Sequence, residues 1–370
     1  MSISKVVKLG VVGGGVNSAV GRAHMSALRM DGRFEIKAAC FSKDGTLNQK
    51  SQESYLLPNV KLFKNEDELI YNSGVDVILL LSPTPQHAQQ VLKVLGNRME
   101  VISEKALCTS FNEVNQIRDA LDKSDKKDLS VTLNYSGYPM VREIAQRIHN
   151  KSLGDLLTLR IEMPQETFLR NSKLQNWRSV DYSIPTITLD LGVHVFHLVR
   201  FLLKDEIELL EGHNFSLFKG SELVDRSTSN WISKNSGVVV EMSYSKIDLG
   251  QRNGLRLRAS GTLGSIEWIQ RYPDEFMEYS HTGDSRLIDR GSQLEVASAD
   301  RYQRFKAGHP TGFIESLANL YSDIHDNLVN GVENTFVSGI QEAYEFTKCF
   351  DRETKHWKHS VREKPVQLRS

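Results

Sequence analysis

Val6–Val12 is apolar almost throughout and runs directly into Gly13-Gly14-Gly15-Val16-Asn17-Ser18-Ala19-Val20-Gly21, after which Arg22–Met30 is patterned as a helix. A strand, a glycine-rich turn and a helix in that order leave few folds open. Glycine lets the chain turn tightly, lets backbone approach a pyrophosphate and brings helix close to strand. The helix N-terminus then offers free N–H groups and a partial positive charge to phosphates. The turn therefore reads as a dinucleotide site, with Gly13, Gly15, Asn17, Ser18 and Gly21 as its contacts. A turn serving packing alone stays open, because the spacing departs from G-x-G-x-x-G: Ser18 stands where the third glycine would fall, and the next glycine is Gly21.

The second strand, Phe34–Phe41, ends where a ribose-binding strand should. It closes on Ser42-Lys43 instead of the usual acidic residue for a free 2′-hydroxyl. Ser42 and Lys43 could hold a 2′-phosphate, and a solvated lysine at a strand end is equally ordinary. NAD and NADP both stay open.

Further short β-branched runs, Val75–Leu81, Met99–Ser103 and Leu129–Asn134, alternate with helical patterns such as Thr84–Leu95. Runs apolar on both faces suit strands covered on both sides, and strand–helix repeats imply a parallel, doubly wound sheet. At 370 residues the chain exceeds one ordinary core. A first domain over 1–134 and a second over 135–370 follow. After Tyr135 the pattern changes. Tyr138–Asn150 carries an apolar stripe at helical spacing, and Leu156–Met163, Ile207–Leu217, Gly237–Tyr244, Leu255–Ala259 and Ser265–Ile269 alternate as half-buried strands do. Helices are expected over Ile187–Leu203, Gly312–Val329 and Gly339–Phe350. The fold class is thus α/β followed by α+β: a Rossmann-type sheet, then an open, mostly antiparallel sheet packed with helices.

Lys+Arg and Asp+Glu balance at 46 each, so no broad field draws nucleic acid or anionic lipid. Met1–Leu9 lacks the apolar core of a signal peptide and no apolar run reaches membrane-spanning length, so a cytoplasmic location is expected by default. Cys40, Cys108 and Cys349 are odd in number and widely spaced, which gives neither a disulfide framework nor a zinc motif.

Ser103-Glu104-Lys105-Ala106, at the end of the fifth strand, resembles the Glu-Lys-Pro motif of the Gfo/Idh/MocA family of sugar and inositol oxidoreductases. Four more stretches fit in order. They are the glycine turn through Gly21 and His24, Ser82-Pro83-Thr84-Pro85-Gln86-His87, Tyr135–Arg142, and Asp190-Leu191-Gly192-Val193-His194. Gly308-His309-Pro310 with the helix after it resembles the family's late segment. The resemblance implies that Ser82, Thr84, His87, Glu104 and Lys105 lie along the cofactor. Ala106 replaces the family proline, and alanine should favour a trans peptide.

Asp190, His194 and His197 fall at i, i+4 and i+7 of the Ile187–Leu203 helix, on one face. By itself that pattern also fits an exposed polar face or, less well, a metal site, which lacks a fourth ligand and would have Lys105 nearby. No metal is expected. The resemblance implies catalysis. His194 acts as general base, Lys105 reaches the same oxygen from the other domain, and Asp190 orients the pair and balances the lysine. Gln165, Trp177, Arg178 and His197 are the candidate substrate contacts, with packing and a surface ion pair as the alternative for Trp177 and Arg178. His24 and His87 are read as either packing or cofactor contacts.

The implied function is hydride transfer between NAD or NADP, with a slight lean to NAD, and a secondary alcohol or ketone of a sugar, inositol or nucleotide sugar. A lyase or epimerase retaining its nicotinamide, and a non-catalytic dinucleotide sensor, are the alternatives. The resemblance also implies a homodimer or homotetramer.

Overall fold

The computed structural model describes residues 5–124, 129–170, 176–217, 223–331, 334–353 and 355–362. Residues 1–4 of the N-terminal stretch weighed above lie outside them. The chain divides into two compact units, Met1–Gly137 with Phe313–Thr347, and Tyr138–Gly312 with Lys348–Ser370.

The first unit alternates β1 (Val7–Gly13), α1 (Gly21–Met30), β2 (Phe34–Cys40), α2 (Gly45–Ser54), β3 (Lys61–Leu62), α3 (Glu66–Asn72), β4 (Val77–Leu81), α4 (His87–Gly96), β5 (Glu100–Ser103), α5 (Phe111–Asp122) and β6 (Leu129–Val131). Its sheet runs β3-β2-β1-β4-β5-β6 with every neighbour parallel. Strand order therefore reverses between β1 and β4, where such sheets bind their ligands. Every residue of β4 is buried, as covering on both faces requires. Side chains start three helices: Asp44 accepts from Leu47 N–H at 2.9 Å, Asn65 from Glu68 N–H at 2.8 Å and Ser110 from Glu113 N–H at 3.3 Å.

The second unit opens with α6 (Pro139–His149) and β7 (Leu156–Pro164), then α7 (Val193–Leu203). Strands β8 (Ile207–Ser216), β9 (Arg226–Ser233), β10 (Val239–Ser245), β11 (Arg256–Gly261), β12 (Gly264–Ile269), β13 (Glu275–Ser280) and β14 (Ser285–Asp289) follow. They form a nine-stranded sheet, β14-β13-β12-β11-β7-β10-β9-β8-β15, closed on one edge by β15 (Lys358–Val361). Only β7·β10 and β8·β15 pair in parallel. Trp231, Trp268 and Phe196 are fully buried on its inner side.

Between β14 and β15 the chain returns to the first unit with α8 (Phe313–Asn330) and most of α9 (Ile340–Phe350). Leu317, Leu320, Tyr321 and Ile324 of α8 join Met25, Leu28 and Phe34 in one buried cluster. The first unit thus takes back a segment that the sequence had placed after the boundary at 134. The three cysteines are buried, and none is in a disulfide. No helix of the described residues is long and apolar enough to cross a membrane.

Candidate active site

The glycine turn is built by close approach. Gly13 and Gly14 have positive φ, 78° and 69°, and a Cβ on Gly13 would stand 2.7 Å from the Ser82 amide nitrogen. Gly21 carries the third contact. A Cβ there would overlap the Gly14 carbonyl, so only glycine lets the first turn of α1 close on the loop. Ser18, at the usual third-glycine position, instead accepts from the Gly21 and Val20 N–H groups at 3.3 and 3.4 Å. The loop is longer, and its helix begins later. Asn17 is exposed. These residues fit a dinucleotide: the cradle stays open because added side chains would fill it, and α1 points its N-terminus at the turn.

After β2, Lys43 is exposed and the Ser42 hydroxyl accepts from Asp44 N–H at 3.1 Å. The nearby carboxylate, Asp44, is committed to capping α2.

After β4, Ser82–Gln86 turns into α4. His87 is buried, with Nδ1 2.7 Å from the Ala106 carbonyl and Nε2 2.7 Å from the Ser82 carbonyl. Thr84 donates to the Lys105 carbonyl at 3.5 Å. Both ring nitrogens of His87 are therefore occupied by backbone, and the residue ties one turn to the other. Burial pushes its imidazole below the usual range, against the pull of the two carbonyls. The Lys105–Ala106 peptide is cis, which corrects the trans geometry expected of alanine. Thr84 and His87 hold the Lys105 and Ala106 carbonyls.

Behind Lys105 runs a buried chain of polar groups. The Tyr321 hydroxyl lies 2.6 Å from His24 Nδ1, and His24 Nε2 lies 3.2 Å from Glu104 Oε1, which also accepts from the Thr132 hydroxyl. A single ring N–H satisfies this geometry, with Tyr321 donating to the histidine and the histidine donating to Glu104. Burial pushes the Glu104 carboxyl up, but His24, the neighbouring Lys105 and Thr132 hold it below the usual glutamate value. His24 thus supports the Glu104-Lys105 turn from behind.

In the second unit, a π-helical turn over Thr188–Gly192 leads into α7. Such turns are rare and recur at functional sites. Gly192 makes it possible here, since a Cβ would meet the Tyr244 ring at 2.8 Å. Tyr244 bonds Thr188 at 2.9 Å, and burial raises its phenol to about 12. The sequence puts Asp190, His194 and His197 on one face of a helix, with an exposed polar face as the alternative. Instead the segment is buried on every side from Leu191 to Val199. His194 is 5% exposed, and the Asp190 side chain reaches solvent at 13%. His197 is also buried, its ring 6.0 Å from that of Phe201.

Two cations stand on Asp190. Lys246 Nζ donates to Oδ2 at 2.6 Å, while the Arg178 guanidinium lies 3.3 Å from Oδ1 and 3.4 Å from Oδ2. Within its unit, Asp190 pairs with Lys246 and Arg178, whereas the sequence reading set it to balance Lys105. Arg178 also stacks on Trp177 at 4.2 Å. The Gln165 side chain is taken up by Asn253 at 2.7 Å and Thr167 at 3.3 Å. Sequence reasoning missed Lys246, although β10 carried the signal. Its inward row runs Val240, Met242, Tyr244, all buried, and Lys246 continues it at 1% exposure. A lysine at an inward position needs a carboxylate opposite it. Among the described residues, no group of three or more His, Cys, Asp or Glu is placed to hold a metal ion.

Residues 7–133 match the oxidoreductase family described as the Gfo/Idh/MocA NAD-binding Rossmann fold, and residues 141–267 match the GFO/IDH/MocA C-terminal domain. The chain belongs to the Gfo/Idh/MocA family. Its first unit carries that family's NAD-binding Rossmann domain, and the two matches together span most of both units. The chain is 28% identical to the Bacillus subtilis oxidoreductase YfiI over 338 residues, 86% of this chain and 84% of the relative. It is 29% identical to the Bacillus subtilis glucose-6-phosphate 3-dehydrogenase over 202 residues, 54% of either chain. A crystal structure of an inositol dehydrogenase homologue from Azotobacter vinelandii, complexed with NADH and myo-inositol, has the same fold. Its TM-score is 0.85 at 20% identity, over 95% of each chain.

Proposed function

We propose that this Gfo/Idh/MocA oxidoreductase transfers a hydride between NAD and a secondary alcohol or ketone of a sugar, inositol or nucleotide sugar. The observation that carries the reading is the buried Asp190–His194 segment, set on a π-helical turn in a chain whose first unit is an NAD-binding Rossmann domain. Bound nicotinamide supplies the hydride acceptor or donor. The chain's residues do the rest. As hydride leaves the carbinol carbon, the hydroxyl proton passes to His194; in reduction it returns from there. Lys105 donates a hydrogen bond to the same oxygen and stabilises its developing negative charge. Asp190, held by Lys246, orients His194. The first unit supplies cofactor and lysine, and the second supplies proton transfer and substrate contacts.

NAD is preferred over NADP in this reading, because the relatives' domain is described as NAD-binding and Lys43 is a solvated strand-end lysine. The outer face of β7, β10 and β9 is polar, with Arg160, Glu241, Thr228 and Asn230 on it, and a second copy of the chain covers it in a dimer or tetramer. A screen of free sugars, inositols and nucleotide sugars for change in nicotinamide absorbance tests the activity. Reduction of NAD by at least one class is expected. No net reduction with any, together with nicotinamide that stays bound through purification, would favour a lyase or epimerase instead.

A further inference from the structure

The residue before Lys105 is held by four parts of the first unit. Glu104 N–H donates to the Leu80 carbonyl at 2.8 Å, and its carboxylate accepts from His24 at 3.2 Å and from the Thr132 hydroxyl. His24 lies in turn 2.6 Å from the Tyr321 hydroxyl, with the two rings edge to face at 5.9 Å. Strand β4, helices α1 and α8 and the turn after β6 thus converge on Glu104. On the other side, Thr84 takes the Lys105 carbonyl at 3.5 Å. All of these groups belong to one unit.

A tie between helices and sheet does not need a charge. Glu104 is 9% exposed, His24 and Tyr321 2% each, and Thr132 1%. An ionised carboxyl is costly at such a place, and neutral side chains would join the same elements at less cost. The chain of bonds also runs one way. Burial and the Glu104 charge push the Tyr321 phenol well above its usual range, so its hydroxyl stays a donor. It donates to His24 Nδ1, and His24 donates from Nε2 to Glu104. Against the upward push of burial, His24, Lys105 and Thr132 hold the Glu104 carboxyl below the usual glutamate value. The negative charge kept in this way belongs to the neighbour of Lys105 and acts on it.

We propose that His24 and Tyr321 are positioning residues for Lys105: they fix the Glu104 carboxylate beside it, and so hold the lysine in place, as an ammonium, for the substrate oxygen. This rests on the proposed dehydrogenase reading, and it deepens that reading. It also gives the return of α8 to the first unit a task, because α8 carries Tyr321. Misplacing a catalytic group by about 1 Å costs on the order of 100-fold in rate. Loss of His24 is therefore expected to lower kcat by about 10- to 100-fold with little change in KM. Loss of the Tyr321 hydroxyl, a single hydrogen bond, is expected to lower it by about three- to tenfold.

Two measurements on the full chain test this, one of them without turnover. In the first, the protein is labelled with limiting acetic anhydride, and the rate at Lys105 is compared by mass spectrometry with that at Lys43, an exposed lysine of the same unit. An anion held beside an ammonium favours the protonated form, which does not react, so Lys105 is expected to label about threefold faster or more, relative to Lys43, in His24→Leu. The increase should be smaller in Tyr321→Phe and nearly absent in His24→Gln, whose amide donates to Glu104 and accepts from Tyr321. In the second, steady-state kinetics, His24→Leu is expected to lower kcat in the native background but by less than about twofold in Lys105→Ala. Unchanged labelling in a His24→Leu chain that melts cooperatively would overturn the proposal. So would the same loss of kcat with and without Lys105, which is what a merely structural tie gives. If leucine prevents folding, Tyr321→Phe is read in its place. A chain with no turnover on any sugar, or a fully active Lys105→Ala, refutes the dehydrogenase reading, and the labelling still decides whether His24 and Tyr321 hold Lys105.

Discussion

Lys246 Nζ and Asp190 Oδ2 stand 2.6 Å apart, joining the end of β10 to the π-helical turn before α7. Each is inside the unit because the other is. Lys246→Met is expected to destabilise the chain by about 3 kcal/mol, the lower end for breaking a buried pair. The double variant Lys246→Met with Asp190→Asn should lose less than the sum of the two single losses, by about 1–3 kcal/mol. Denaturant melts of the four proteins check this, and strict additivity would mean that the pair is not coupled.

Gly21 is the tightest point of the cofactor turn. Gly21→Ala puts a methyl into the Gly14 carbonyl and forces the loop away from α1. The dissociation constant for NAD is expected to rise about tenfold or more, equivalent to about 1.4 kcal/mol, with circular dichroism unchanged. Ser18→Ala should have a smaller effect, since it removes only the hydroxyl that accepts from Gly21 N–H.

Asp205 gives a pH dependence with a defined sign. Burial pushes its carboxyl up, but the Ser233 hydroxyl and the Asn235 and Ser236 amides outweigh it and hold the group at about 2, against 3.8 unperturbed. A depressed carboxyl stabilises the fold above its unfolded value, and that contribution is lost as pH falls from 3.8 through about 2. Asp205→Asn should therefore cost about 1 kcal/mol at neutral pH, allowing for solvent screening, and nothing at the acid end. Thermal melts across that range read the difference. Equal slopes in the two proteins would contradict it.

Self-association is expected at micromolar concentration. Thr228→Arg adds a charge to the outer face of the nine-stranded sheet, where Thr228 stands beside Asn230, Ser243 and Arg160. Light scattering should give a dimer or tetramer for the native chain and a monomer for the variant. A native monomer would refute the assembly.

The Rossmann half was legible because its strands are apolar on both faces and its glycine turn sits between strand and helix. In the other half, β9 was hidden. Its buried inward row is Ser227, Ser229, Trp231 and Ser233, so small polar residues stand where alternation looks for apolar ones. Strands β13 and β14 lie at the sheet's edge, and β14 is mostly exposed. The π-helical turn could not be read from spacing, because Ile187–Leu203 is apolar almost all round and the register shift from one extra residue leaves no mark on such a pattern. The support behind Lys105 was illegible for another reason: Tyr321 meets His24 across 297 positions of sequence. Only packing brings such a pair together.

In the proposed mechanism Lys105 and His194 act on one substrate oxygen. This is tested most directly by steady-state kinetics of Lys105→Ala and His194→Ala with a substrate found in the sugar screen, alongside NAD titration. The expected result is a fall in kcat of about 10²- to 10⁴-fold in each, as for loss of one proton-transfer or oxyanion-stabilising group, with the dissociation constant for NAD nearly unchanged. A His194→Ala or Lys105→Ala enzyme that keeps most of its turnover would contradict the mechanism.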